Sequence, residues 1–140
     1  VQGLEPCPLC VFQRVGLIGM GLIALLAFIH NPISNAMKRG YALLAAVAIG
    51  WSVAVAARHV WLQHLPPDKV PSCGPGLNYL VDALPFNAVL KEVLSGSGEC
   101  AVIDWTFLGQ SLPFWSLIYF SLILLICLWQ LFRSYKFTKK

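Results

Sequence analysis

Two cysteines separated by two residues stand near the start of the chain, in the sequence CPLCVFQR at positions 7–14. Thiols at this spacing can close a disulfide within one turn of chain, and such motifs commonly hold one sulfur as a reactive thiolate. The apolar stretch that follows, residues 15–29, carries no charged residue. If this stretch is helical, Cys10 lies near its N-terminus, where unpaired N–H groups and the helix dipole favour an anion. Cys10 is therefore the better candidate for a stable thiolate.

Arg14 lies four residues after Cys10, one helical turn away on the same face. Its permanently charged guanidinium could hold that thiolate, or an oxygen of a bound electron acceptor. Pro8 restricts Cys7 to extended backbone, which fits a loop that enters a helix at this point. Two other interpretations of the pair are half of a zinc site and two thiols without chemistry. The spacing favours redox chemistry over both.

The composition places these cysteines in a membrane protein. Of the 140 residues, 58% are hydrophobic and only 11% are charged, which is far too apolar for an ordinary soluble domain. Three apolar blocks approach the length of about 20 residues that crosses the hydrocarbon of a bilayer. We predict one all-α membrane domain over residues 1–140, a transmembrane helical bundle with spans at about 11–29, 41–64 and 112–132. The first block lacks a basic leader and a small-residue cleavage site, so it is interpreted as a retained span.

The charged residues predict how the spans are oriented. The short link between spans one and two carries Lys38 and Arg39, and the tail after span three is also basic. The long loop at about 66–111 holds five acidic residues, and they are Asp68, Asp82, Glu92, Glu99 and Asp104. By the positive-inside rule the link and the tail are cytoplasmic, and the N-terminus and the long loop are outside. The net charge of +4 forms no basic stripe, so no nucleic-acid partner is predicted.

This orientation puts four of the five cysteines on the outer side, and they are Cys7, Cys10, Cys73 and Cys100. In a bacterium that side is the oxidising periplasm, where disulfides persist. Cys127 falls inside the third span and is interpreted as a small apolar packing residue.

The loop cysteines, Cys73 and Cys100, both lie in Gly- and Ser-rich surroundings. A disulfide between them would close a loop of about 28 residues and stabilise the fold by roughly 3 to 4 kcal/mol, so a purely structural bond is one interpretation. A relay is the other, because an exposed disulfide on a mobile loop is open to attack by an incoming thiolate. Two pairs facing one compartment fit the relay better.

Two further features belong to the outer side. Residues 77–84 and 86–94, separated by Pro85, show apolar positions at helical spacing and predict short amphipathic helices that lie on the membrane. His59 and His64 stand near the end of span two, where either could donate to a quinone carbonyl or relay a proton. Both could equally be polar interface residues, and the sequence does not choose between the two histidines.

Five motifs together give a resemblance that covers nearly the whole chain. They are CPLCVFQR at 7–14, RHVWLQ at 58–63, SCG at 72–74, GSGEC at 96–100 and DWTFLG at 104–109. In combination they resemble the bacterial inner-membrane thiol:quinone oxidoreductases of the disulfide bond formation protein B (DsbB) family. That family is a four-helix bundle with one span ahead of its CxxC. Because this chain begins six residues ahead of Cys7, we expect it to contain three of the four spans.

The resemblance implies a role for each cysteine pair. Cys73 and Cys100 match the loop pair that oxidises a periplasmic thioredoxin-like dithiol oxidase, DsbA, with Cys73 forming the mixed disulfide and Cys100 resolving it. Cys7 and Cys10 match the pair that passes electrons to a membrane quinone, ubiquinone or menaquinone, with Cys10 in contact with the quinone.

The resemblance also implies that Arg14 stabilises the quinone side, and that a histidine near the end of span two, His59 or His64, belongs to the same pocket. Two rival functions are a disulfide-stapled membrane scaffold and a metal-binding or transport protein. The second would require ionisable residues inside the spans, which offer little beyond Arg14 and the thiol of Cys127. No metal site is therefore predicted.

Overall fold

The computed structural model describes residues 8–69, 77–95, 101, 103 and 105–136. Within these ranges the helices are α1 (Pro8–His30), α2 (Asn35–Gln63), α3 (Leu77–Ala83), α4 (Phe86–Ser95) and α5 (Leu112–Lys136). A 3₁₀ turn covers Pro67–Lys69, and an antiparallel hairpin pairs β1 (Thr106–Phe107) with β2 (Gln110–Ser111). The predicted fold class, an all-α membrane protein with short helices in the connection between its second and third long helices, is confirmed.

Among the described residues, three helices are long and apolar enough to cross a membrane: Pro8–His30, Asn35–Gln63 and Leu112–Arg133. Large apolar side chains, among them Leu26 and Leu125, stay exposed along them, as contact with lipid requires. The 29 residues of α2 span about 44 Å at 1.5 Å per residue, against about 30 Å of hydrocarbon. At least one end of α2 therefore extends beyond the apolar layer.

Helix α2 is the central element, because it packs against both α1 and α5. A middle cluster joins the three helices through buried Ile49 and Ala56 of α2 and Phe120 of α5, with Leu17 of α1 packed against them. Gly16 lets α1 approach α2 closely, since a Cβ added there would clash with the Ser52 hydroxyl.

The bundle has one end where α1 begins, α2 ends and α5 begins, which we call the cysteine end. Helix α4 covers it by burying Val89 and Val93 against Leu9 of α1 and Leu62 of α2. Because these four side chains are almost fully enclosed, α4 fixes the first turn of α1 against the last turns of α2.

The hairpin lies at the same end and was not predicted. Leu108 and Gly109 both have positive φ, 51° and 80°, as the central residues of a two-residue type I′ turn do. The Ser111 hydroxyl donates to Gln63 Oε1 at 2.7 Å, and the Trp115 ring N–H donates to the Phe107 carbonyl at 3.0 Å. The first bond joins the hairpin to the end of α2, and the second joins it to the start of α5.

Candidate active site

Cys10 lies in the first turn of α1, and two neighbours explain its placement. Helix α1 begins at Pro8, where the missing proline N–H costs nothing because first-turn N–H groups have no helical partner. Leu9 is fully buried in the cluster at the cysteine end, which fixes the rotation of the helix. Cys10 is consequently half-buried at the edge of the contact between α1 and α2.

His59 lies opposite Cys10, on the face of α2 that packs toward the bundle. Buried residues follow this face at helical spacing, and they are Ser52, Val55, Ala56, His59 and Leu62. The imidazole is only 3% exposed, and its Nδ1 lies 3.8 Å from the Cys10 sulfur. This is within the reach of a sulfur hydrogen bond, so a proton can pass between the thiol and the ring.

Gln13 and Ser52 complete a buried polar strip between α1 and α2. The Gln13 side chain is 5% exposed and its Nε2 lies 3.4 Å from His59 Nδ1. The Ser52 hydroxyl is fully buried and donates to the backbone carbonyl of Gln13 at 3.0 Å. Buried polar groups are costly unless they are hydrogen-bonded, which explains why these side chains meet.

Arg14 is exposed on α1, one turn after Cys10, so its positive charge lies on the same side of the helix as the thiol. Next to it in the sequence, Val11, Phe12 and Val15 line an apolar cavity of about 360 Å³. The opposite wall comes from α3, α4 and the turn between them, through Val81, Leu84, Phe86 and Val89.

Arg58 ties α4 to the end of α2, beside His59 in the sequence. Its Nε–H donates to the Leu94 carbonyl at 3.3 Å and its terminal N–H to the Ser95 carbonyl at 3.4 Å. The guanidinium also stacks over the Trp61 ring at 4.3 Å from the ring centre. The last turn of α4 is thereby held at the cysteine end, five residues before Cys100 in the sequence.

Of the predicted site residues, the structure brings together Cys10 and His59, with Arg14 one turn away. It does not bring His64 to them, because His64 is exposed and its ring Nδ1–H donates to the Val60 carbonyl of its own helix at 2.8 Å. Cys7, Cys73 and Cys100 lie outside the described residues. In the part of the chain that the structure describes, no three His, Cys, Asp or Glu side chains group as a metal site would need.

Gln13 and Ser52 were missed by the sequence analysis. The available signal was their polarity inside apolar spans, with Gln13 three residues after Cys10 and Ser52 seven before His59. Each spacing returns to the same face of a helix.

Fold and site define a multi-pass helical membrane protein in which a cysteine thiol meets a buried imidazole at one end of the bundle. The model of the family "Disulfide bond formation protein DsbB" matches residues 1–130. The chain belongs to this DsbB family, and so to a disulfide-forming class of membrane proteins.

Relatives named disulfide bond formation protein B support the same assignment. The protein of Acinetobacter baumannii is 77% identical over 139 residues, which cover 99% of this chain and 81% of the relative. That of Acinetobacter baylyi is 74% identical over 134 residues, covering 96% and 78%, and that of Psychrobacter cryohalolentis is 56% identical over 135 residues, covering 94% and 77%. No solved structure matches the chain.

Proposed function

We propose that this protein is a thiol:quinone oxidoreductase of the bacterial inner membrane. It reoxidises a periplasmic DsbA-like dithiol oxidase and passes the electrons to a membrane quinone, ubiquinone or menaquinone. The observation that carries the proposal is the half-buried Cys10, at the start of a helix apolar enough to span a membrane, with its sulfur 3.8 Å from buried His59. A thiol that must meet a lipid-soluble oxidant needs this combination of lipid contact and a proton acceptor.

The first step takes place on the loop. A thiolate of the reduced partner attacks the Cys73 sulfur of a Cys73–Cys100 disulfide, which forms a mixed disulfide and releases Cys100 as a thiolate. The second thiolate of the partner then attacks its own sulfur in the mixed disulfide and releases Cys73. The partner leaves with a disulfide, and both loop cysteines are reduced by the two electrons it has given up.

The second step moves the electrons to the membrane. The reduced loop pair exchanges with a Cys7–Cys10 disulfide, which reforms the bond between Cys73 and Cys100 and leaves Cys7 and Cys10 as thiols. Arg58 supports this transfer, because it holds the end of α4, five residues before Cys100, at the same end of the bundle as Cys10. His59 Nδ1 accepts the proton of the Cys10 thiol, which leaves Cys10 as a thiolate.

The residues near Cys10 fit a quinone. The apolar cavity beside Val11 and Val15 suits a ring or a polyprenyl chain, since its lining offers almost no polar surface. The exposed Arg14, which lies one turn from Cys10 and precedes the cavity-lining Val15, would suit a carbonyl oxygen of the acceptor. Cys7 and Cys10 would give up two electrons and two protons to a quinone bound near Cys10, and their disulfide would reform. Arg14 thus supplies a charge one turn from Cys10, and His59 supplies a proton path at its sulfur.

The test is quinone reduction by the purified protein in lipid, with a reduced DsbA-like dithiol oxidase as the electron donor. We expect Cys10→Ser and Cys7→Ser to abolish turnover, because each removes one sulfur of the pair that delivers electrons. Cys127→Ser is the matched control and keeps the parent rate, because Cys127 packs against the middle cluster and away from the site. Turnover that survived in Cys10→Ser would contradict the proposed relay.

A further inference from the structure

Gln13 is a buried amide that the relay described above does not use. It lies three residues after Cys10 and directly before Arg14, in a helix that is apolar from Val15 to Ile29, and only 5% of its side chain is exposed. An amide in such surroundings costs free energy unless its groups are hydrogen-bonded. Its Nε2 lies 3.4 Å from Nδ1 of His59, the same ring atom that faces the Cys10 sulfur at 3.8 Å.

We propose that Gln13 is a positioning residue that fixes the protonation pattern of His59. An amide nitrogen donates and does not accept, so the contact requires Nδ1 to be the unprotonated nitrogen of the neutral ring. The ring proton then resides on Nε2. Nδ1 is thereby kept unprotonated, and its lone pair is shared by the Gln13 N–H and the Cys10 thiol until the thiol proton is transferred.

The placement of Gln13 is itself fixed by the contact between α1 and α2. Ser52 donates its buried hydroxyl to the Gln13 carbonyl at 3.0 Å. One turn further along α1, Gly16 packs directly against Ser52 and the Ala48 carbonyl. The Gln13 side chain therefore leaves α1 at a position locked to α2, and His59 leaves α2 seven residues after Ser52, on the same face.

An amide suits both states of the ring during proton transfer. When the proton leaves the Cys10 sulfur and binds Nδ1, the cysteine becomes a thiolate and the ring becomes an imidazolium with two N–H groups. Rotation of the Gln13 amide then presents Oε1, which accepts from the new Nδ1–H. A carboxylate at position 13 could only accept and would favour the imidazolium, whereas a thioether or hydrocarbon would serve neither state.

The inference rests on the proposed function only for the use made of the Cys10 thiolate, so its tests need neither quinone nor a partner. The fully reduced protein is treated with iodoacetamide at neutral pH, and alkylation of Cys10 is followed by mass spectrometry. We expect Gln13→Met, which is close in shape, to slow the reaction by about five- to tenfold, the factor that corresponds to one ordinary hydrogen bond. Gln13→Glu is the matched control and reacts at least as fast as the parent, because its carboxylate stabilises the imidazolium.

A double-mutant cycle separates positioning from a general loss of packing. In the double variant Gln13→Met/His59→Ala, we expect the same Cys10 alkylation rate as in His59→Ala alone, because Gln13 acts only through the ring. Additive slowing, an unchanged rate in Gln13→Met, or equal slowing by Met and Glu would each overturn the proposal.

A measurement on the parent protein covers the case in which a variant does not fold. Nitrogen-15 NMR of histidine-labelled protein, with the His59 signals assigned by their loss in His59→Ala, reports which ring nitrogen carries the proton. We expect Nε2–H with Nδ1 unprotonated. The opposite tautomer would overturn the role of Gln13 even if quinone turnover were normal, whereas failed turnover with the expected tautomer would count against the proposed function alone.

Discussion

Three of the four buried polar side chains among the described residues lie where α1 meets α2, and elsewhere the long helices expose large apolar residues. Gln13, Ser52 and His59 are each at most 5% exposed, and each has a hydrogen-bonding atom of the facing helix within 3.4 Å. In a membrane the alternative to such a partner is hydrocarbon, which makes an unsatisfied amide or imidazole costly. The strip therefore holds Cys10 beside polar groups in a part of the bundle that is otherwise apolar.

The two histidines at the end of α2 are expected to differ sharply in function. His59→Ala should lower quinone turnover by about 10²-fold or more, the range attributed to a positioned acid or base. His64→Ala should leave turnover near the parent value, because His64 is exposed and bonded to its own helix. Steady-state quinone reduction by both variants, side by side, measures the difference. Equal loss in the two would contradict the assignment of His59.

For individual residues, the sequence predicts which side chains are reactive better than it predicts which side chains touch. The CxxC spacing predicts Cys10 as a site residue, and the spacing of four residues on one helix predicts Arg14 beside it, both without a structure. The choice between His59 and His64 needs the rotation of α2, since residues five apart on a helix point in directions about 140° apart. Gln13 carries no motif at all, and its role depends on a contact 46 residues away in the chain.

At the scale of elements, α1 and α2 approach each other closely at Gly16. A side chain at Gly16 would meet the Ser52 hydroxyl, the Ala48 carbonyl and the Trp51 ring. Gly19, in the same helix, has nothing within 4 Å of the position that its Cβ would take. Close helix approach through a small residue is a common way of packing in membranes.

These two glycines give a matched pair of variants. Gly16→Leu should destabilise the bundle by about 1–3 kcal/mol, as overpacking does, and should move Cys10 away from His59. Gly19→Leu makes the same change of residue without the clash, so it should keep the parent melting temperature and the parent rate of Cys10 alkylation. Thermal unfolding in detergent and iodoacetamide labelling measure both effects. Equal melting temperatures for the two variants would show that the tight contact at Gly16 is not needed.

The elements themselves were predictable to different degrees. Apolar blocks located the three long helices, and helical spacing located α3 and α4 on either side of Pro85. The start of α2 was missed by six residues, because the helix begins at Asn35 while the apolar block begins at Tyr41. Hydropathy marks the residues that lie in the hydrocarbon and not the ends of the helix. The start of α2 carries Lys38 and Arg39, so the apolar block does not include it. Strands of two residues, as in the hairpin, are too short to show any alternation.

For the whole molecule, the distribution of charge matches the division of the bundle into two ends. Lys38 and Arg39 follow the turn between α1 and α2, at the end opposite Cys10. Asp82 on α3 and Glu92 on α4, two acidic residues of the long connection, lie on the helices that pack at the cysteine end. Basic residues are retained on the cytoplasmic side of short membrane segments, so the cysteine end is expected to face the periplasm.

The orientation can be measured with single cysteines in a variant whose five native cysteines are serine. Asp82→Cys on α3 and Ser34→Cys at the start of α2 occupy exposed positions at opposite ends of the bundle. In intact spheroplasts, a charged maleimide that does not cross membranes should label position 82 and leave position 34 unlabelled until the membrane is permeabilised. The cysteine-free parent, which should take no label, is the control. Labelling of position 34 alone in intact spheroplasts would show that the bundle has the opposite orientation. Cys10 would then lie at the cytoplasmic face, where a periplasmic partner cannot reach the relay.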